Sequence, residues 1–470
     1  MSKPYDFVVI GAGSAGLLAA PLAAKLGARV ALVERDRPGG DCLYTGCVPS
    51  KTLLKVAKVA HEIRRAATFG LQAAPPSVDM SQVSAHIQDV IGRIYEHDSP
   101  EALRAQGVDV VLGPARFVDA HTLSVNGRAI RGRHFLICTG SRPIRPDIPG
   151  LADVSTLTYE DIFSLRVLPT RLLVIGAGPI GMEMSQAFAR LGSCVTVFQR
   201  ATRLLTVADA DCSAVMAEVF RREGITVRLG ASIDRVDQDG DEIAVTISGD
   251  RVVGDALLVA VGRAPTLDGL DLERAGVTYS RRGIAVDAYL RTSQPHVYAC
   301  GDVLGGEQFT HLAAIQAYQA TRNALLPGKT RGTLEAAPWT VFTAPEVARA
   351  GLTEDEARAR HGSGVRVYTL PLARVDRAQA EEDRHGLVKL VYRPNGTILG
   401  AHIVAARAGE MIQEVITAMD QGKTLRHLAS AMHVYPTYSV GVQQAAAFAL
   451  EQSVFSGLTG RLIRLVTRLT

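Results

Sequence analysis

Two cysteines, Cys42 and Cys47, stand with four residues between them in the run GGDCLYTGCVPSK. Residues of this type at this spacing can cycle between dithiol and disulfide, hold a metal ion, or lie inert in a core. Five helical steps advance about 7.5 Å, whereas a disulfide wants Cα atoms roughly 4.4–6.8 Å apart, so an unbroken helix would hold the pair too far apart. A distorted turn is therefore expected between them, with Gly46 freeing the backbone and Pro49 suited to the first turn of a following helix. Cys47 then falls near a helix N-terminus, where the dipole and free N–H groups favour a thiolate, and Lys51 adds a positive charge. The alternatives are a structural disulfide, a metal centre and two buried thiols. No export signal precedes the pair, and no second Cys/His cluster stands near enough to complete a four-ligand site, so a redox-active dithiol leads and no resident metal is expected.

The elements around the pair are those of a nucleotide-binding protein. YDFVVIGAGSAGLLAAPLAAKLGARVALVER reads as a strand, a glycine turn, an apolar-periodic helix and a second strand ending on Glu34. Gly11, Gly13 and Gly16 suit a tight turn against a pyrophosphate, Ser14 opens the helix, and Glu34 can accept hydrogen bonds from ribose hydroxyls. The pattern returns in RLLVIGAGPIGMEMSQAFARLGSCVTVFQR with Gly176, Gly178 and Gly181. Two such units imply two dinucleotides. In the second, Gln199 stands where Glu34 stood, followed by Arg200 and Arg203, a set that favours the 2′-phosphate of NADPH over NADH. FLICTGSRP and LLVAVGRAP are strands that end in the turns of Thr139, Gly140 and Gly262, and HVYACGDVLGG delivers Asp302 at a strand end. From about Pro338 the alternation changes to that of an antiparallel sheet with helices.

The expected fold is thus α/β, with two Rossmann-like dinucleotide-binding domains and a C-terminal α+β domain. The expected boundaries are 1–150 and 271–337 for the two parts of the first nucleotide domain, 151–270 for the second, 338–452 for the C-terminal domain and 453–470 for a basic tail. A net charge of +4 spread over 470 residues, with no basic cluster interleaved with aromatics, argues against nucleic acid. No stretch nears 18 uninterrupted apolar residues, so no membrane span is expected. Six cysteines in so long a chain suit a reducing, cytoplasmic compartment, with Cys138, Cys194, Cys212 and Cys300 read as ordinary buried thiols.

Together these motifs resemble the flavin-dependent pyridine nucleotide–disulfide oxidoreductases, the family of dihydrolipoamide dehydrogenase, glutathione reductase and mercuric reductase. The resemblance extends to about residue 452, and its most specific element is GGDCLYTGCVPSK. It implies an FAD on Gly11, Gly13, Gly16, Glu34, Lys51, Thr139, Gly140 and Asp302, and NAD(P)H on Gly176, Gly178, Gly181 and Gly262. It implies that Cys47 faces the flavin while Cys42 exchanges with substrate, and that Lys51 pairs with Glu183 beside the flavin. A hydride would pass from nicotinamide to FAD and two electrons on to the Cys42–Cys47 disulfide, in a homodimer whose C-terminal domains complete each other's sites.

The chain departs from that family at the exit. Its disulfide reductases carry His-Pro with a Glu four residues past the Pro, an acid–base pair for thiol exchange. Here MHVYPTYSVGVQQAA places Tyr435 and Val440 at those positions. A phenol with a reference pKa near 10 is a poor base at neutral pH. His433, two residues earlier, reads as structural. Tyrosine at this place resembles mercuric reductase, although the last cysteine is Cys300 and no C-terminal cysteine pair follows. The acceptor is accordingly a soft metal ion or an unusual disulfide, small or protein-bound. A lipoyl partner, or a role as a partner-binding electron-transfer subunit, is the alternative. In the tail, Arg461, Arg464 and Arg468 oppose Leu462, Leu465, Val466 and Leu469 on a helix, which packs on the dimer in preference to touching a membrane surface.

Overall fold

Five of the six residues of β1 (Tyr5–Ile10) are buried, which is the pattern of a strand covered on both faces. The chain turns at Gly11 into α1 (Ser14–Lys25), whose Ala15, Ala19, Ala20 and Ala23 let the helix sit close to the sheet. It returns as β2 (Val30–Glu34), parallel to β1. Two helices follow end to end, α2 (Gly40–Tyr44) and α3 (Cys47–Arg65). Farther along, β3 (Arg128–Ile137) lies parallel to the other edge of β1, and β4 (Val297–Ala299) lies parallel to β3. After β4 the chain enters α4 (Thr310–Leu325), which packs on the α1 side of the sheet through Ala313, Ala317 and Ala320. The parallel register gathers the carboxyl ends of β1, β2, β3 and β4 at one edge, where sheets of this kind bind ligands.

The computed structural model describes residues 3–332 and 337–455, so the basic residues of the tail lie outside the described residues. It divides into two compact units. The first comprises Met1–Thr170, Arg235–Ala244 and Gly254–Glu335, the second Arg171–Asp234, Val245–Val253 and Ala336–Thr470. In the second unit, strands Arg171–Ile175, Cys194–Gln199 and Thr226–Leu229 are parallel, with helix Pro179–Leu191 between the first two. Cys194 is exposed rather than buried, because alternation along its strand turns Val195 inward and position 194 out.

The C-terminal segment of this unit is a five-stranded antiparallel sheet in the order 339–341, 346–351, 398–405, 387–392, 366–371. Its core joins Leu370, Val388, Leu390 and Ile403 to Met411, Ile412 and Val415. Lys389, 5% exposed on a central strand, sends its Nζ to Asp209 (3.0 Å), Asp211 (3.0 Å) and Glu354 (2.9 Å). Burial opposes the ammonium charge, and the three carboxylates more than offset it, so the pKa of Lys389 is raised. Substituting Lys389→Met would leave the buried Asp209 carboxylate without its cation and facing two partly exposed carboxylates, Asp211 and Glu354. A loss of about 3–5 kcal/mol in equilibrium urea unfolding is expected, the usual cost of removing one partner from a buried ionic group.

Candidate active site

The distorted turn between the two cysteines is the Thr45–Gly46 step. Helix α2 ends at Tyr44, the Thr45 N–H donates to Asp41 O at 2.9 Å, and Cys47 is the first residue of α3. Gly46 has φ −120° and ψ −115°, and its role is room: a Cβ there would sit 2.8 Å from the Asp41 carbonyl oxygen. The entry to α2 is equally tight. Gly39 donates its N–H to Ala12 O at 2.8 Å, and a Cβ on Gly40, which has φ +58°, would fall 2.6 Å from Gly13 Cα. The dithiol segment therefore lies directly on the glycine turn that follows β1.

Neither cysteine is in a disulfide, and the two thiols are unequal. Cys42 is partly buried and Cys47 exposed. The pKa of Cys42 is pushed well above its usual value, first by its hydrogen bond with Cys47, then by burial and by the charge on Cys47, while the hydroxyls of Thr310 and Ser14 act in the opposite sense. Cys47 Sγ lies 3.3 Å from Thr310 Oγ1, and Thr310 is the first residue of α4, so a hydroxyl and a helix N-terminus face that sulfur. Thr310 escapes sequence reading. Its one sequence signal is its place at the start of the apolar run THLAAIQAYQA after Asp302.

The residues expected to hold FAD gather at the carboxyl edge of the first sheet. Gly11 has φ +104°, and a Cβ there would meet Cys138 O at 2.5 Å. Glu34 accepts from the Ala12 N–H (2.7 Å) and the Asp36 N–H (3.0 Å). Thr139 Oγ1 donates to Thr266 O at 2.7 Å, and space around Gly140 is open. Asp302 accepts from Ser141 Oγ and pairs with Arg263 Nη2, each at 2.8 Å. The same guanidinium pairs with Asp41 at 2.8 Å, and Tyr159 OH also donates to Asp41, at 3.3 Å. Burial raises the Asp41 pKa, and Arg263 works against it. Arg263 Nε and Thr45 Oγ1 are buried without a hydrogen-bond partner. Open space at Gly140 and two buried polar atoms without partners suit a polar dinucleotide, so these residues fit FAD. Lys51 lies on α3, half-buried.

The second glycine turn repeats the first. Gly176 has φ +104°, Gly178 caps helix Pro179–Leu191 with open space around it, and Gly181 is buried within the helix. Gln199 Oε1 accepts the Ala177 N–H at 3.2 Å, the same contact that Glu34 makes with Ala12. Arg200 is exposed, whereas Arg203 braces its own loop through Thr206 O and Ser213 Oγ. Glu183, 5% exposed, accepts the Phe342 N–H at 2.8 Å. Gly262 has φ +135° and its carbonyl receives Ile144 N–H. Tyr435 is 67% exposed and donates to Asp376 at 2.6 Å, a bond that raises its pKa further from the neutral range. Val440 is buried. His433 spends both ring nitrogens locally, on Glu414 Oε2 (2.9 Å) and Ala431 O (3.0 Å).

Residues 5–320 match the pyridine nucleotide-disulphide oxidoreductases and residues 337–446 match the dimerisation domain of that family. The chain belongs to this family, and with it to the FAD-dependent NAD(P)H oxidoreductases. It is 37% identical to a mercuric reductase of Bacillus cereus over 94% of this chain and 71% of that one. It is 36% identical to a dihydrolipoyl dehydrogenase of Thermus scotoductus, over 96% and 99%. The solved Cu(II) complex of the HOCl-induced flavoprotein disulfide reductase RclA from Escherichia coli superposes with a TM-score of 0.85 at 30% identity, over 95% of this chain and all of that one. Among the described residues no helix is long and apolar enough to cross a membrane.

Thr310→Val removes the hydroxyl beside Cys47. A hydrogen bond to a charged group contributes about 1.5–3 kcal/mol, so alkylation of Cys47 by iodoacetamide at pH 7 should slow by roughly tenfold or more. In a Cys42→Ser background the rate is read without interference from the neighbouring thiol.

Proposed function

We propose that this enzyme reduces a thiophilic metal ion, Hg²⁺ foremost, at Cys42 and Cys47 with electrons from NADPH. The observation that carries the reading is the exit position, where Tyr435 gives its phenol hydrogen to Asp376 and a buried Val440 stands in place of the carboxylate, and the upward shift of the partly buried Cys42 thiol agrees with it. Attack on a disulfide needs a thiolate at Cys42, and the position where a histidine would accept its proton offers none. A soft cation needs no such base. It displaces any thiol proton itself, each S–H bond that remains giving way to a sulfur–metal bond as its proton leaves to water, while a thiolate binds directly. The names of the Bacillus cereus relative and of the RclA complex, one a mercuric reductase and the other holding Cu(II), support a metal acceptor.

When bound, FAD supplies a two-electron relay between the nicotinamide and the dithiol. Glu34, Thr139, Gly140 and Asp302 would hold it, Arg263 fixes Asp302 against Asp41, and the Thr310 hydroxyl would steady negative charge on Cys47. Lys51 and Glu183 are assigned to the cofactor side. Arg200, beside an uncharged Gln199, gives the preference for NADPH. Two subunits assemble through residues 337–446, and the enzyme works in a reducing cytoplasm. The net reaction is Hg²⁺ and NADPH to Hg⁰, NADP⁺ and a proton, two electrons moving.

NADPH oxidation by the purified dimer should respond to HgCl₂ supplied with excess small thiol and be slow with oxidised lipoamide or glutathione disulfide. Either Cys42→Ser or Cys47→Ser should abolish the mercury response. The paired change Tyr435→His with Val440→Glu should raise disulfide turnover by roughly 10²–10⁴-fold, the usual contribution of a positioned acid–base. Rapid turnover of a disulfide by the unmodified enzyme, with none on Hg²⁺, would refute the assignment.

A further inference from the structure

Two more cysteines meet beneath this site. Cys138 follows the last residue of β3 and Cys300 the last residue of β4, and the register pairs Ile137 with Ala299. The Cys300 N–H continues that ladder to Ile137 O at 3.0 Å. The thiols therefore stand side by side on neighbouring parallel strands, with backbones about 4.8 Å apart. Both belong to one core cluster, with Cys138 6% and Cys300 0% exposed. The Cys138 thiol donates to the carbonyls of Ile10 and Gly11, 3.3 Å from each, at the start of the first glycine turn. Its pKa is raised well above the usual range, first by hydrogen bonding with Cys300 and then by burial.

The space around the pair has no slack. A Cβ on Gly11 would lie 2.5 Å from Cys138 O, and one on Gly301 would lie 3.1 Å from Ala313 Cβ. Ala12 and Ala15 on the α1 side and Ala313 and Ala317 of α4 belong to the same buried cluster as the pair. Those two helices carry Ser14 and Thr310, the hydroxyls that act on Cys42 and Cys47. Anything that swells the pair must push the glycine turn, α4, or both.

We propose that Cys138 and Cys300 form a second soft-metal site, which captures a thiophilic cation such as Hg²⁺ and in doing so unseats FAD. Two adjacent sulfurs are the minimum donor set that such an ion bridges strongly, where one buried thiol would give it up to competitors. Capture breaks two S–H bonds, forms two S–Hg bonds and releases two protons, and no electrons move. The Cys138 thiol loses the hydrogen that it gives to Ile10 and Gly11, and the ion takes volume that the alanines do not leave. The inference stands whether or not the same ion is reduced at Cys42 and Cys47.

The test uses the full-length, FAD-loaded Cys42→Ser, Cys47→Ser, Cys194→Ser variant, which lacks the dithiol and the exposed thiol. It is titrated with HgCl₂, washed with a monothiol, and assayed for mercury per chain and for released flavin by fluorescence. One retained mercury per chain is expected, with flavin release following the same titration. Adding Cys138→Ala or Cys300→Ala should each cut retained mercury at least tenfold and keep the flavin bound. Flavin content before titration checks each variant, and Cys300→Ala alone suffices if Cys138→Ala does not hold FAD. The proposal is overturned if the parent variant retains no mercury after the wash. It is equally overturned if mercury still releases flavin from the alanine variants.

Discussion

The close approach of the dithiol segment to the first glycine turn is the constraint from which the rest of the site follows. A Cβ on Gly40 would stand 2.6 Å from Gly13 Cα, and Gly39 hydrogen-bonds Ala12. Any side chain at position 40 would lift the segment off the turn, and its φ of +58° already disfavours one. Because Cys42 lies only two residues beyond this contact, the reactive sulfurs and the dinucleotide cradle are parts of one rigid object. Asp41 extends the same logic through side chains. It shares Arg263 with Asp302, so the residue before Cys42 and the carboxylate at the end of β4 are held by a single guanidinium.

Division of labour between the sulfurs is a second consequence of backbone placement. Cys47 opens α3 and meets the start of α4, so helix N-terminal groups and a hydroxyl converge on it. Cys42 lies within the short α2, partly buried, where both burial and the neighbouring sulfur favour its neutral form. Hydrogen bonding with Cys47 and burial thus work to keep the proton on Cys42, while a helix N-terminus and the Thr310 hydroxyl face Cys47. A single helix running through both positions would have given neither the asymmetry nor the proximity.

What the sequence made legible was local. The broken helix between Cys42 and Cys47 follows from a spacing of four residues and a glycine, and the two glycine turns follow from period and composition. What it hid depends on distant positions. Cys47 and Thr310 are 263 residues apart, and Arg263 and Asp41 are 222 apart, so no window of sequence contains either contact. The Lys389 group is hidden for the same reason, since a lone lysine in the apolar run GLVKLVY gives no sign of three carboxylates around it. Cys194 misled because composition says that cysteines are usually buried, while strand alternation decides which way each one points. Arg203 looked like a ligand residue by position, yet backbone carbonyls in its own loop claim it first.

The paired turns separate a structural duty from a ligand duty at positions 34 and 199. In both, one side-chain oxygen accepts the amide of the middle residue of Gly-Ala-Gly, at 2.7 Å from Glu34 and 3.2 Å from Gln199. The shorter contact is the one expected of a charged acceptor. Since a neutral amide holds the second turn with the same φ of +104° at its first glycine, the turn itself does not require a negative charge. The charge on Glu34 is then not needed by the turn, and under the proposed function it would serve ribose hydroxyls. At position 199 the absence of that charge removes the repulsion that a 2′-phosphate would meet, with the exposed Arg200 next in the chain. The two turns thus share one frame and differ in the charge at its edge, an acid at position 34 against a neutral amide followed by Arg200 at position 199.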